Sequence, residues 1–287
     1  MYRSVFKPGL FAGQSIIVTG GGSGLGRCTA HELAALGARV ALIGRRRERL
    51  DTVRDEIADA GGVADCYAGD IRDETRVREM VGEVLDAHGR IDGLVNNAGG
   101  QFPALLRDIS ANGWDAVVRS NLTGGFFMAR ECYTQWMESH GGNVVNIVAD
   151  CWMGMPEMGH SGAARAGMIN LTETAAVEWA QSGVRVNAVA PGWVATSGFD
   201  TYAPEMQAKL AEWWHHVPLQ RHGTEAEVSA AIVFLLCEAA AYITGVTLRV
   251  DGGAPNAKAT WALPYHQNST PYDGFHLAAK PRVMREE

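Results

Sequence analysis

The stretch Thr19-Gly20-Gly21-Gly22-Ser23-Gly24-Leu25-Gly26 carries the residue types that let a backbone close on a phosphate. Glycines at 20, 24 and 26 omit the Cβ atoms that would hold an anion off, and a helix opening there aims free N–H groups and its positive dipole end at the same point. Gly20, Ser23, Gly24, Leu25 and Gly26 are therefore candidate cofactor contacts, with a ligand-free strand-to-helix turn as the alternative. Further along, Gly44-Arg45-Arg46-Arg47 stands where a carboxylate would bind a ribose 2′-hydroxyl and repel a 2′-phosphate; arginines attract the phosphate instead. Arg45 and Arg46 thus favour NADP(H) over NAD(H), unless they only form the solvated first turn of a helix. Asp70-Ile71 is placed to hydrogen-bond or cover an adenine, a role compatible with capping the helix that follows.

Such residues need elements to position them. Apolar runs bounded by glycine predict strands near 15–19, 39–43, 64–68, 92–96, 143–148, 185–190 and 246–250. Helical patterns fill the gaps near 25–36, 46–60, 74–88, 113–140 with a break, 161–182 and 225–237. Alternation of this kind predicts an α/β fold, a single Rossmann-type doubly wound parallel sheet with helices on both faces. Its ligand belongs beyond the carboxyl ends of the strands, where Thr19, Gly44, Asp70, Asn96, Val148 and Pro191 fall.

The chain has 287 residues and a net charge of -7, enough for one large domain and no sign of a second. The arginines are scattered among carboxylates, so nothing points to nucleic acid. Five cysteines, an odd number, suit a reducing compartment better than a disulfide framework. Arg3, Lys7 and Pro8 interrupt the opening stretch where a signal peptide would need an apolar core, and no stretch is long enough to span a bilayer. A cytoplasmic location follows as the expectation, with no membrane partner and no metal.

Asn96-Asn97-Ala98-Gly99-Gly100 closes the fourth strand, and with it the chain resembles the NAD(P)-dependent short-chain dehydrogenase/reductase family. The motifs are Thr19 to Gly26, Asn96 to Gly99, Asn121 within Ser120-Asn121-Leu122, Val186-Asn187 to Pro191-Gly192, and Asp251-Gly252-Gly253, in the family's order from about residue 12 to 253. The resemblance implies a seven-stranded sheet and a cofactor extended over Asn97, Ala98, Gly99, Asn121, Arg165, Pro191, Gly192, Val194 and Thr196. It also implies a homodimer or homotetramer built through the helices at 113–140 and 161–182.

Most members carry a Tyr and, four residues on, a Lys that lowers the Tyr pKa so that it exchanges a proton with a carbonyl or alcohol oxygen. Counting back from Pro191-Gly192 puts Ser161 and Arg165 at those positions, and Val148 or Ala149 at the usual Ser. None of the tyrosines has a Lys four residues on. An arginine holds its proton, so Arg165 is expected to fix the nicotinamide ribose and supply positive charge rather than relay protons. Such a site suits hydride addition to a C=C bond conjugated to a thioester, and the His160 to Gly167 stretch with Asn96 to Phe102 is most similar to the enoyl-CoA and 2,4-dienoyl-CoA reductase branch. Asn121, Asp150, Ser161 and Arg165 are the candidate catalytic residues.

Asp150, in the loop after the fifth strand, is the candidate general acid or base; its alternative is a loop carboxylate capping an N–H or pairing with an Arg. Cys151 reads as a packing residue and His160 as a helix cap or surface residue, with donation to substrate the lesser option. The stretch 193–223, rich in aromatics and without regular period, is expected as a flap over a bulky apolar or isoprenoid-like acyl chain, or as core or oligomer contacts. Residues 1–253 form the domain. Residues 254–287, with four prolines, read as an extended arm on this subunit or a neighbour, or as disordered. Two rival functions stand beside the thioester reductase: an alcohol or aldehyde dehydrogenase of terpenoid or fatty substrates using Asp150 as base, and a non-catalytic cofactor-binding protein.

Overall fold

Seven parallel strands form one sheet in the order β3-β2-β1-β4-β5-β6-β7. The structure, a computed structural model, describes residues 1–285, so Glu286 and Glu287 of the expected arm lie outside the described residues. The strands are β1 (Ser15–Thr19), β2 (Arg39–Gly44), β3 (Val63–Ala68), β4 (Gly93–Asn96), β5 (Gly142–Ile147), β6 (Val184–Pro191) and β7 (Thr247–Val250). The main helices are α1 (Gly24–Ala35), α2 (Arg47–Asp59), α3 (Glu74–His88), α4 (Ala111–Val118), α5 (Gly124–Cys132), α6 (Glu138–His140), α7 (Gly159–Glu178), α8 (Pro204–Glu212) and α9 (Glu225–Leu236). Strands such as Ile16-Ile17-Val18 are apolar on both faces because helices cover both. On one face Phe11, Leu33, Leu50, Ile232 and Leu236 pack together; on the other Met80, Val84, Met128 and Ala175 do. Strand order reverses between β1 and β4, which opens a crevice above their carboxyl ends.

The expected helix at 113–140 starts earlier, where Ser110 accepts from the Gly113 N–H at 3.1 Å. Its break is a pair of π-turns, Arg119–Thr123 and Tyr133–Met137, that leave the path helical. The first of them carries Asn121, in keeping with the tendency of such bulges to sit at functional sites. A buried polar chain pins these helices to the sheet: Asn96 Nδ2 donates to the Gly125 carbonyl (3.0 Å) and Asn146 Oδ1 (2.9 Å), and Asn146 Nδ2 donates to Thr172 Oγ1 (2.9 Å).

The stretch 193–223 is more ordered than its composition suggests, because it contains α8, opened by Pro204 at the first helical position. Residues 271–278 fold back along their own domain. Phe275 is buried against Tyr2 and Cys28, Arg3 N donates to Gly274 O (2.9 Å), Tyr272 Oη donates to Arg3 O (2.7 Å), and Thr224 Oγ1 donates to Tyr272 O (2.6 Å). Beneath them lies Glu32, fully buried, accepting hydrogen bonds from Tyr2 (3.0 Å), Ser4 (2.7 Å) and Ser229 (2.5 Å). Burial raises its pKa and the three hydroxyls oppose the rise.

Candidate active site

The crevice begins at the glycine turn. Gly20 has φ +66, and a Cβ on Gly26 would collide with the Gly20 carbonyl oxygen, so α1 starts closer to β1 than any other residue allows. Ser23, the residue before α1, makes no side-chain cap, and no acidic residue occupies the first turn. The first N–H groups and the positive helix end are therefore left for a ligand anion. Thr19 Oγ1 ties β1 to β4 by accepting from the backbone N–H groups of Asn97 and Ala98, both at 2.9 Å. The Asn97 amide donates to Thr19 O at 3.0 Å, so this residue shapes the turn with its side chain and offers a ligand only its backbone.

A cleft runs outward from there, lined by Gly20, Ser23, Arg45, Arg46, Asp70 and Ile71 at one end and Ala98 and Gly99 at the other. Among the described residues Arg45 and Arg46 make no ion pair, and neither does Arg49, a third arginine on the same wall that the sequence reading left out. Asp70 is clasped by Arg72, whose guanidinium reaches it at 2.6 Å; that bond first, and then the Arg72 N–H and charge, hold its carboxyl below the usual range against the opposing effect of burial. Ile71 is buried under Gly124, and Leu25 leans on the core beneath α1. The uncapped helix end, the glycine cradle and the unpaired arginines fit a phosphorylated dinucleotide.

At the other end stand the residues of α4 to α7. Arg165 is half-buried and donates to the Ile147 carbonyl; desolvation lowers its pKa to about 10, which leaves it charged at neutral pH. A Cβ on Gly99 would stand 2.7 Å from Arg165 Nη2 and 2.5 Å from Asn121 Oδ1, so only glycine lets the Asn96–Gly99 turn pass so close. Asn121 is held by Gly100, accepting its N–H at 2.8 Å and donating to its carbonyl at 3.0 Å, with Ser161 Oγ at 3.5 Å from the same amide nitrogen. Ser161 itself is buried and donates to Gln101 Oε1 at 2.6 Å. Asn121, Ser161, Arg165 and Gly99 thus meet in one place, as the sequence spacing implied.

Asp150 is set slightly apart. The charges acting on it come from Asp251, just past β7, and Arg249, within it, not from Arg165. Burial first, and Asp251 second, raise its pKa, and its Oδ1 is buried without a hydrogen-bond partner. The side chain acting on Arg165 is its neighbour Cys151, whose thiol pKa is raised chiefly by burial. The rest of this loop is open, with Trp152 46% and Met153 83% exposed. Pro191 ends β6, and Gly192 lies against Asp251. Val194 is buried and bridges to Gly223. Thr196 Oγ1 accepts from Gly198 N at 3.0 Å and caps the turn Ser197–Thr201 that leads into α8.

His160 is not on the surface. It is fully buried, edge-on to Phe102 at 4.5 Å between ring centres, because the start of α7 is sandwiched by the 101–106 loop, and its Nδ1 accepts the Ser161 N–H in the first turn of α7 at 2.9 Å. Gln101 and Tyr202 lie in stretches the sequence marks, the loop after β4 and the expected flap, but neither stood out as a site residue. Gln101 Nε2 donates to Tyr202 Oη at 3.3 Å, a contact across 101 residues that no local pattern announces. Among the described residues no group of His, Cys, Asp and Glu is arranged to hold a metal ion, and no helix is long and apolar enough to cross a membrane.

A family model described as enoyl-(acyl carrier protein) reductase matches residues 20–255. The chain is 36% identical over 255 residues to a probable 2,4-dienoyl-CoA reductase of Bacillus subtilis, covering 88% of this chain and 98% of that one. Among solved structures, a citronellol catabolism dehydrogenase (AtuB) of Pseudomonas aeruginosa superposes with a TM-score of 0.80 at 56% identity, over 88% of this chain and 99% of the other. A putative NAD(P)-dependent gluconate 5-dehydrogenase of Beutenbergia cavernae, solved with bound NADP, superposes with a TM-score of 0.81 at 35% identity, over 88% and 100%.

Proposed function

The chain belongs to the short-chain dehydrogenase/reductase family, and on that premise we propose that it is an NADP(H)-dependent reductase of a C=C bond conjugated to a thioester carbonyl. The observation that carries this reading is the presence of Ser161 and Arg165 on one helix face: the serine hydroxyl donates its hydrogen bond to Gln101 and the arginine keeps its proton, so neither acts as a base toward an alcohol oxygen. The relative named as a 2,4-dienoyl-CoA reductase supports the same chemistry.

A bound nicotinamide would supply the hydride. Arg165 would hold its ribose through the donors beside Gly99, and its half-buried charge would stabilise the negative charge that builds on the substrate. Asn121, fixed at both ends by Gly100, would keep the floor of the site rigid. Asp150, its pKa raised, would deliver the proton to the substrate carbon directly or through water. The unpaired Arg45, Arg46 and Arg49 support NADP(H) over NAD(H). Exposed Trp114, Phe126 and Val177 on α4, α5 and α7 suit a homodimer or homotetramer, and five free cysteines suit the cytoplasm.

A second reading has its own support: the 56% identical neighbour is named for citronellol catabolism, and Trp193, tilted against Trp213 with ring centres 4.1 Å apart, suits an isoprenoid-like chain. On that reading the enzyme is an alcohol or aldehyde dehydrogenase of terpenoid substrates with Asp150 as base. Following NADPH and NADH consumption over straight and methyl-branched 2-enoyl-CoAs, terpenoid aldehydes and ketones separates the two. Reduction of the enoyl thioesters is expected; turnover of the carbonyl compounds alone would overturn the proposal, and turnover of nothing, with cofactor bound, would point to a non-catalytic role.

A further inference from the structure

A thioester carbonyl that turns into an enolate needs hydrogen-bond donors, and the residues expected to supply them have spent theirs. Ser161 gives its only hydrogen to Gln101. The two hydrogens of the Asn121 amide face the Gly100 carbonyl and Ser161 Oγ. Arg165 is anchored to Ile147 and meets the crevice beside Gly99, on the cofactor side. His160 is fully buried against Phe102, its Nδ1 taken by the Ser161 N–H and its Nε2, although without a partner, shut away from any solvent-borne ligand. Two donors remain next to this group. Tyr202 Oη accepts from Gln101 Nε2 at 3.3 Å, which leaves the phenol hydrogen uncommitted, and the same Gln101 nitrogen carries a second hydrogen.

We propose that Tyr202 Oη and Gln101 Nε2 form the donor pair that receives the substrate's thioester oxygen. This rests on the thioester reading above. Two donors 3.3 Å apart can both reach one oxygen at ordinary hydrogen-bond length. Each is fixed from behind. Ser161 holds the Gln101 amide by its carbonyl oxygen, so the nitrogen must point outward. The Tyr202 backbone is held by Gln207 Nε2, which donates to its carbonyl at 2.7 Å from the first turns of α8. The pair brings together the loop after β4 and the flap after β6, so the oxyanion site is complete only with the flap in this position. Tyr202 would thereby give the site a phenol from the flap, in place of one on the helix that carries Ser161.

The test is kinetic, on the full chain with NADPH and a methyl-branched 2-enoyl-CoA. Tyr202→Phe and Gln101→Leu are each expected to lower kcat about 100-fold, the low end of what one oxyanion donor contributes, while NADPH affinity measured by fluorescence stays unchanged. Tyr202→Phe keeps the backbone anchor to Gln207, so tryptophan emission from Trp193, Trp213 and Trp214 should match the wild type. If Tyr202 were only a flap support, KM for the acyl-CoA would rise at unchanged kcat, and that result overturns the proposal, as does a kcat within twofold of wild type. Failure of the thioester reading looks different, because the wild type would then reduce no enoyl-CoA. In that event binding of a saturated acyl-CoA to the NADP⁺ complex decides: Tyr202→Phe should weaken it about tenfold, and equal binding overturns the donor pair.

Discussion

Glu225 opens α9, is only 6% exposed, and among the described residues has no side-chain hydrogen bond. Burial raises its pKa from 4.5 to about 7, with Asp273 of the arm adding to the rise and Arg27 of α1 opposing it; Cys28 is the other ionisable neighbour. A carboxyl whose folded pKa is raised binds its proton more tightly when folded, so stability is fully present below about 4.5 and is lost as pH climbs through about 7. The gap between those two values, at about 1.4 kcal/mol per pH unit, is worth about 3 kcal/mol. Glu225→Gln keeps the shape and removes the titration. Urea unfolding of both proteins, followed by tryptophan fluorescence from about pH 4.5 to about pH 8, should show the wild type losing about 3 kcal/mol relative to the variant across that window. His31, His88 and His222, whose pKa values burial lowers, titrate in both proteins and cancel in the difference. Parallel stability curves would refute the reasoning and mean that water or the Arg27 charge reaches this carboxylate far better than its burial implies.

Replacing Arg45 and Arg46 together by Ala should weaken NADPH binding about 100-fold, two charge-assisted bonds' worth, and leave NADH nearly unaffected; an equal loss for both nucleotides in a fluorescence titration would show that they do not read a 2′-phosphate. Arg165→Ala should raise the cofactor KM and lower kcat together, because one guanidinium serves both the ribose and the developing charge. Asp150→Asn should lower kcat by about 100- to 10,000-fold at nearly constant cofactor KM and flatten the pH profile; full activity across the pH range would make Asp150 a structural carboxylate held with Asp251 and Arg249.

The strands were legible because a sheet covered on both faces demands apolar runs, and runs such as Ile16-Ile17-Val18 are fenced by glycine and polar residues. The cleft at the strand ends was equally legible: its residues are contiguous there, so spacing along the chain translates into spacing in the crevice. The other end was not. Ser161, Arg165 and Asn121 could be found by counting from fixed motifs, but the direction of a side chain could not, which is why Asp150 turns out to lie near Asp251 and Asn97 turns to the Thr19 and Gly20 carbonyls. Gln101 and Tyr202 belong to loops without periodicity, and only tertiary packing makes them neighbours. α8 hides because Met206 and Leu210 give it a narrow apolar stripe, although Pro204 marked its start. His160 is polar in type and buried in fact, and nothing in its local sequence distinguishes the two.

The hydrogen bonds between residues 3 and 274 have a consequence for synthesis. Ribosomes deliver Tyr2, Arg3 and Ser4 long before Tyr272 and Phe275, and the partners of this seam stand about 270 positions apart in the chain. Throughout translation Glu32 can gain Ser4 and then Ser229, and Tyr2 can meet Cys28 and Ala226, but its ring gains an aromatic cover only when Phe275 emerges to stack on it at 5.9 Å. Closing so long a loop costs little extra once the sheet has brought its ends together, so the seam forms after the domain rather than guiding it. It serves as a clasp fastened after the sheet, and a chain cut before residue 272 would leave Tyr2, Cys28 and Ala226 without the Phe275 ring that packs on them.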